Sequence, residues 1–429
     1  MSNKLEHTSA FGINYEPNKK LGYYTVGNDL YYNKFQAYLD AAKQNKFAKW
    51  FFNDEVFIRY PWHIEPEESL EELYRRRAQD LRDRYDYIRI DASGGADSST
   101  VVYSFLLNKI HVDEVVFRYP KQGEQGVSGN PHDTRAENTL SEWEFAAKPL
   151  LEWIAVHSPE TKITVHDYSE DMIKDADERD ESWIFRTRHY LQPGHIYKHD
   201  VIALDDHKRQ ADRNMTIGVI HGIDKPKICI KDNKFFLYFV DSTTNHNSNV
   251  VDDYTNITNE FFYWSPDACD LLAKQAHTLK HWFSMPMNHK FQGVLHWPNN
   301  DFATRTVYEN IIKSIIYPHY DSSTFQTMKP TNNIWNEMDH WFHTNFVGSK
   351  SYQTWQAGID YLVKTLGPDY VEYLDGRPAN IKGFASTLYY IDDCHIPEVT
   401  AVQTRAKLQA SRQNITVHNH LIKGKLVLY

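Results

Sequence analysis

The sequence predicts an α/β protein in which a parallel sheet carries helices on both faces and an α-rich C-terminal domain follows. Short β-prone runs at Tyr87–Ala92, Glu114–Tyr119, Lys162–His166 and Met215–Ile220 alternate with helical patterns, and strands separated by crossover helices pair in parallel. Helical periodicity dominates beyond Ser265. The chain is 429 residues long and 41% hydrophobic, enough for a large core and, as a prior, for two or three domains. The expected division is a small N-terminal α+β region over 1–66, the α/β domain over 67–245 and the α-rich, substrate-selecting domain over 246–429.

The elements follow in order. A short strand or hairpin is expected around Tyr23–Val26 and a helix from Asn33 to about Lys46. Leu70, Leu73, Tyr74, Ala78 and Leu81 recur at helical spacing opposite a charged face, which predicts an amphipathic helix between Glu67 and Tyr85. After the strand Tyr87–Ala92 comes a glycine turn, then a helix from about Ser98 to Asn108 with Val101, Val102, Phe105 and Leu106 on its apolar face. A polar insertion over Lys121–His132 precedes a helix from about Thr134 to Val156, and another helix is expected near Asp171–Ile184. Lys227–Ile230 and Phe235–Val240 read as a hairpin around Asp232-Asn233. Ser265 as cap, Pro266 at the first helical position and Asp267 in the first turn announce a helix to Phe283. Further helical patterns occupy Ala303–Ile316, Asn333–His343 and Tyr352–Leu366.

Composition excludes several function classes. The formal charge is −10 with scattered basic residues, which argues against a broad duplex nucleic-acid footprint while leaving room for a local basic groove. Three cysteines, Cys229, Cys269 and Cys394, with no CxxC pair, build neither a disulfide framework nor a four-cysteine zinc site, and fit a reducing cytoplasm. No apolar run approaches the roughly 20 residues that span a bilayer, so no membrane partner is expected. The 61 aromatic side chains (28 Tyr, 22 Phe, 11 Trp) are chiefly core and interface packing.

The informative segment is Ser93-Gly94-Gly95-Ala96-Asp97-Ser98-Ser99, lying between an expected strand and an expected helix. Two glycines let successive N–H groups converge on an anion. Ser93, Ser98 and Ser99 add hydroxyls, and the helix start adds unpaired N–H groups and the positive end of its dipole. Neither GxxxxGK[ST] nor GxGxxG is present, and the loop has no lysine, so the ordinary P-loop and the dinucleotide fingerprint are set aside. A strand-to-helix turn with small polar caps and no ligand is the bland alternative.

This segment matches SGGxDS and therefore resembles the PP-loop ATP pyrophosphatases, whose fold is adenine nucleotide α-hydrolase-like. The resemblance implies ATP and Mg²⁺ as cofactors, with ATP cleaved between the α- and β-phosphates to activate a second substrate as an adenylate. It implies that Ser93, Gly94, Gly95, Asp97, Ser98 and Ser99 hold the phosphates, with Ala92 and Asp91 near the nucleotide. Val116, Phe117 and Arg118, at the end of the second strand, are expected to meet the adenine. Asp97 cannot attract phosphate by its own charge, so it either helps hold Mg²⁺ or fixes the loop.

A second cluster, His221-Gly222-Ile223-Asp224-Lys225-Pro226, follows a buried strand and should emerge on the same carboxyl edge. The resemblance assigns Asp224 to Mg²⁺ and Lys225 to neutralising phosphate charge; a turn leading into the hairpin is the competing reading. Arg186, Arg188 and His189 are candidate binders of phosphate or a carboxylate substrate, against simple surface solvation. His195 and His199 precede Asp200, Asp205, Asp206 and His207 at metal-like spacing, which chance explains among 22 histidines.

Within the superfamily, the helix Leu70–Leu81 running into SGGADSS is most similar to the synthetase half of asparagine synthetase, over Glu67–Ile110. Position 2 is Ser2 and no cysteine precedes Cys229, so no N-terminal cysteine glutaminase is expected and the nitrogen donor is ammonia or an amine. The acceptor is expected to be a small molecule with a carboxylate or carbonyl group. Gly222-Ile223-Asp224-Lys225 departs from the acidic pair of asparagine synthetase toward sulfate-reductase-like members. A sulfur-transfer enzyme using Cys229 or Cys394 is therefore the enzymatic rival, although Cys229 in an apolar strand is expected to be buried and inert. A nucleotide-binding protein without catalysis is the rival from another class.

Overall fold

The computed structural model describes residues 18–119, 121, 143–167, 169, 191, 213–241, 256–297, 302–320, 343–374 and 377–394. Its centre is a five-stranded, wholly parallel sheet built from β4 (Tyr87–Asp91), β5 (Glu114–Arg118), β6 (Lys162–His166), β7 (Ile217–His221) and β10 (Ile257–Phe261), in the spatial order β10-β7-β4-β5-β6. The chain moves outward from β4 through β5 to β6, then returns to place β7 and β10 on the other side of β4. Strand order therefore reverses between β4 and β7, where Asp91 lies opposite His221. In open α/β sheets such a switch point is where a crevice opens beyond the carboxyl ends of the strands.

Helix α3 (Leu70–Arg84) enters this sheet with a complete capping box: Ser69 Oγ accepts from the Glu72 N–H while the Glu72 carboxylate accepts from the Ser69 N–H. Its buried face is Leu73, Tyr74, Ala78 and Leu81. Arg77, also buried, donates to the carbonyls of Phe261 and Phe262 (2.8 and 3.0 Å) and so fastens the end of β10. Helix α4 (Ala96–Leu106) starts two residues earlier than the hydrophobic pattern suggests, with Gly95 as its cap. Its Val101, Val102 and Phe105 are fully buried, each worth about 1.5–3 kcal/mol relative to exposure.

Alternation along the strands divides the sheet's two faces. Ile88, Ile90, Val115 and Ile220 join the main core with α3, α4 and the Lys148–His157 helix, whereas Tyr87, Ile217, Val219 and Ile257 form a separate cluster on the other face. The Lys148–His157 helix is preceded by a π-helical turn at Trp143–Ala147; the expected start of that helix at 134–142 lies outside the described residues, as do the insertion from 122 onward and the helix expected at 171–184.

Among the described residues three smaller sheets accompany the parallel one. The N-terminal layer is an antiparallel sheet of β1 (Tyr23–Val26), β2 (Asp29–Tyr31) and β3 (Ala48–Phe51) with helix α1 (Lys34–Gln44), and the single-turn helix α2 (Asp54–Phe57) follows it. The hairpin of β8 (Lys227–Lys231) and β9 (Lys234–Tyr238) turns through Asp232 and Asn233, both at positive φ (50° and 57°), as a two-residue hairpin turn requires. Phe52, Phe57, Trp62, Phe239, Trp264 and Tyr389 stack across these layers, with Phe57 and Phe239 rings 4.7 Å apart.

The last third is richer in strands than its helical periodicity predicts. Beyond β10 it contributes β11 (Val371–Leu374), β12 (Arg377–Ile381) and β13 (Tyr389–Asp393), and β13 pairs antiparallel with β9. The helix expected from Ser265 is α-helical over Cys269–Ser284, the preceding Pro266–Ala268 forming one 3₁₀ turn. Helices at Phe302–Ile316 and Lys350–Leu366 match expectation, while 333–342 lie outside the described residues. Among the described residues no helix is long and apolar enough to cross a membrane.

Candidate functional site

The Ser93–Ser99 loop leaves the carboxyl end of β4 at the switch point, and the His221–Pro226 segment leaves the adjacent, parallel β7. Gly94 has φ +72°, and a Cβ there would sit 2.4–2.6 Å from backbone atoms of Ala146 and Ala147. Only glycine satisfies both the left-handed angle and the close approach. Gly222 backs the same turn from below, its Cβ position lying 3.0 Å from Ser98 N and Cα.

The serines spend their hydroxyls on shaping the loop. Ser98 Oγ accepts from the Ser93 N–H (3.1 Å) and donates to Gly95 O (3.2 Å), and Ser99 Oγ donates to Gly94 O (3.1 Å). Among the described residues no side chain caps the start of α4, and an uncapped helix start offers first-turn N–H groups and a dipole to an anion.

Asp97, in the first turn of α4, is the hub of the site. Its Oδ2 accepts from Lys225 Nζ at 2.7 Å, its Oδ1 accepts from the Tyr317 hydroxyl, and its backbone carbonyl accepts from Tyr263 Oη at 2.8 Å. Lys225 Nζ also reaches Asp224 Oδ1 at 3.2 Å; Asp224 Oδ2 pairs with Lys227 at 3.0 Å, and Lys227 with Glu309 at 3.0 Å. The result is an alternating chain of charges: Asp97, Lys225, Asp224, Lys227, Glu309.

This chain fixes the protonation states. Burial opposes ionisation of Asp224, but Lys225 and Lys227 outweigh it and hold its carboxyl below the usual carboxylate range. Burial likewise disfavours the Lys225 ammonium, and Asp224, Asp97 and Glu309 reverse that, leaving it charged far above neutral pH. Tyr308 locks the segment mechanically: its hydroxyl binds Pro226 O at 2.5 Å and accepts from the Ile228 N–H at 3.2 Å.

Asp97, Asp224 and Lys225, from two separate stretches of sequence, are thus brought into direct contact. Phe117 and Arg118 are adjacent in β5 and point to opposite faces. Phe117 is buried with its ring 5.5 Å from that of Trp143. Arg118 donates through both terminal nitrogens to Asp91 Oδ2 at 3.1 Å. Burial pushes the Asp91 carboxyl up, yet Arg118, Arg89 and His221 together hold it well below the ordinary range. Arg186, Arg188 and His189, with the His195–His207 cluster, lie outside the described residues.

The sequence reading did not find Tyr263, Tyr317, Tyr308 or Glu309. Each lies at least 80 positions from its partner, and no motif marks it. All three cysteines are free and buried, and burial pushes the Cys229 and Cys269 thiols up to about 12. No protein-family model matches the chain, and no curated protein matches it.

Proposed function

We propose that the chain is an ATP-dependent, AMP- and pyrophosphate-forming ligase that adenylates a carboxylate or carbonyl substrate for attack by ammonia or an amine. The observation that carries this reading is the juxtaposition at the switch point of the uncapped SGGADSS helix start with Lys225 and Asp224 from the neighbouring strand end. An anion-binding turn alone is common; one whose first-turn carboxylate shares a buried ammonium with a second carboxylate is suited to a polyphosphate carrying its metal.

Asp97 and Asp224 both pair with Lys225 Nζ, so an ion held between their carboxylates would take the place that the ammonium now fills. Asp97 and Asp224 would hold the ion, which when bound neutralises charge on the phosphate oxygens. The N–H groups of Gly95 and the first turn of α4 orient the β- and γ-phosphates, and Lys225 stabilises charge on the leaving pyrophosphate. A substrate carboxylate oxygen forms a bond to the α-phosphorus while the α–β P–O bond breaks, its electron pair leaving with pyrophosphate. The amine then attacks the acyl carbon and AMP departs. The α-rich region, which already contributes Tyr317 and Glu309 to the site, selects the acceptor.

Cys229, pushed up to about 12 by burial, and Cys394, also buried, give the sulfur-transfer alternative no support. The test is product identity: ATP, Mg²⁺, a panel of small carboxylic acids and ammonia or simple amines, with AMP and pyrophosphate quantified. AMP with equimolar pyrophosphate, lost in Asp97→Ala, is the expected result. ADP and phosphate would overturn the reading, as would nucleotide binding without turnover across the panel.

A further inference from the structure

A second cluster lies away from the switch point, where the segment preceding α3 meets the Cys269–Ser284 helix. His277 and His281 are four residues apart on one face of that helix, and Glu65 reaches them from across the fold. One ligand atom from each of Glu65, His277 and His281 lies within 4.8 Å of the other two.

Hydrogen bonding prepares each group. His277 Nε2 lies 2.9 Å from Trp62 O; a carbonyl can only accept, so Nε2 carries the proton and Nδ1 carries the lone pair. Among the described residues that Nδ1 has no hydrogen-bond partner, and His277 is only 3% exposed. Lys274 Nζ donates to Glu65 Oε1 at 2.9 Å, orienting the carboxylate so that Oε2 meets His281 Nε2 at 2.7 Å. A ring N–H donated to a backbone carbonyl and a carboxylate held through its other oxygen are the outer contacts that orient metal ligands.

We propose that Glu65, His277 and His281 form a zinc-binding site that ties the segment before α3 to the Cys269–Ser284 helix. Two imidazoles and a carboxylate suit a borderline cation such as Zn²⁺ better than Mg²⁺ or Ca²⁺, which prefer oxygen-only ligands. With bonds of roughly 2.0–2.1 Å, tetrahedral ligands stand about 3.3 Å apart. Glu65 and His281 are already closer than this, and both are partly exposed, so their side chains can open around the ion while the buried His277 stays fixed. The half-exposed His281 leaves the fourth position to water. Zinc takes the place of the hydrogen bond between His281 Nε2 and Glu65 Oε2.

The test uses the full chain stripped with a chelator and titrated with zinc ion against a competing chromophoric chelator, with melting followed in parallel. One zinc per chain and a rise in melting temperature are expected. His281→Ala and Glu65→Gln, both at partly exposed positions, should each weaken binding by at least about tenfold, the lower end of what even outer partners of metal ligands contribute. His289→Ala, a neighbouring histidine outside the cluster, should bind zinc as the wild type does. Absence of stoichiometric zinc would overturn the proposal, as would unchanged affinity in His281→Ala and Glu65→Gln.

Discussion

Gly94→Ala is the sharpest probe of the loop, because two costs fall on one added methyl group. The first is conformational: φ is +72°, and a left-handed residue with a Cβ costs about 1–2 kcal/mol. The second is steric: the Cβ would stand 2.4 Å from Ala146 C, 2.5 Å from Ala147 N and 2.6 Å from Ala146 O. These are backbone atoms at a helix start, so relief requires moving the π turn and the helix behind it, which we put at about 1–3 kcal/mol by analogy with overpacked cores. The sum is a loss of about 2–5 kcal/mol. Gly348→Ala isolates the first cost, since φ there is +83° with nothing within 4 Å of the added atom, and should lose only about 1–2 kcal/mol. Urea unfolding of both variants, followed by tryptophan fluorescence, gives the comparison. If Gly94→Ala matches wild type within about 0.5 kcal/mol, the loop does not have the described path. If it loses no more than Gly348→Ala, the close approach to Ala146 is wrong.

Three further outcomes are expected. Lys225→Met leaves Asp97 and Asp224 without their shared ammonium in a buried setting, so it should cost about 3–5 kcal/mol of stability and abolish pyrophosphate release; retained turnover would remove Lys225 from the site. For Glu65, burial raises the pKa, but His281 and Lys274 outweigh it and bring the carboxyl down to about 2. A depressed folded pKa means stability present above the unfolded value of about 4.3 and lost as pH falls toward 2. The stability gap between wild type and Glu65→Gln should therefore narrow through that window, and a gap that widens on acidification contradicts the ion pairs. A thiol reagent at pH 8 should label none of Cys229, Cys269 and Cys394 in the native chain and all three after unfolding, because all are buried; fast native labelling of Cys229 would revive the sulfur-transfer reading.

The parts legible in sequence were those whose cause is local. The Asp232-Asn233 hairpin, the amphipathic helix α3 and the strand–glycine turn–helix at Tyr87–Leu106 follow from turn chemistry and periodicity within about 20 residues of chain. Strand β10 was not legible, because Asn259 and Glu260 interrupt its apolar pattern and find their side-chain partners only across the fold. Asn259 meets His221 at 2.6 Å, and Glu260 meets Arg84 at 2.9 Å and Tyr85 at 2.7 Å. With β10 hidden, the boundary drawn at 245 ran between two adjacent strands of one sheet. The same reason hid Tyr317 and Tyr263: a lone tyrosine in an apolar stretch reads as core, and only the fold brings it to Asp97.

The charge balance of the switch point bears on how a nucleotide would enter it. Three carboxylates, Asp97, Asp224 and Glu309, face two ammonium groups, Lys225 and Lys227, so the described chain carries one negative charge in excess. Side-chain charge at this cluster therefore repels a free triphosphate. The feature that would attract phosphates is the uncapped start of α4, equivalent to roughly half a positive charge, and that alone does not offset the excess. A triphosphate arriving with a divalent cation changes the sign of the problem, because the excess carboxylate becomes a ligand and Lys225 is released from one of its two partners to face phosphate. Nucleotide affinity should accordingly depend steeply on Mg²⁺, and Asp224→Asn, which removes the surplus charge, should weaken that dependence while leaving metal-free nucleotide binding no worse. A titration showing equal affinity with and without Mg²⁺ in the wild type would mean that the carboxylates serve only to anchor the lysines.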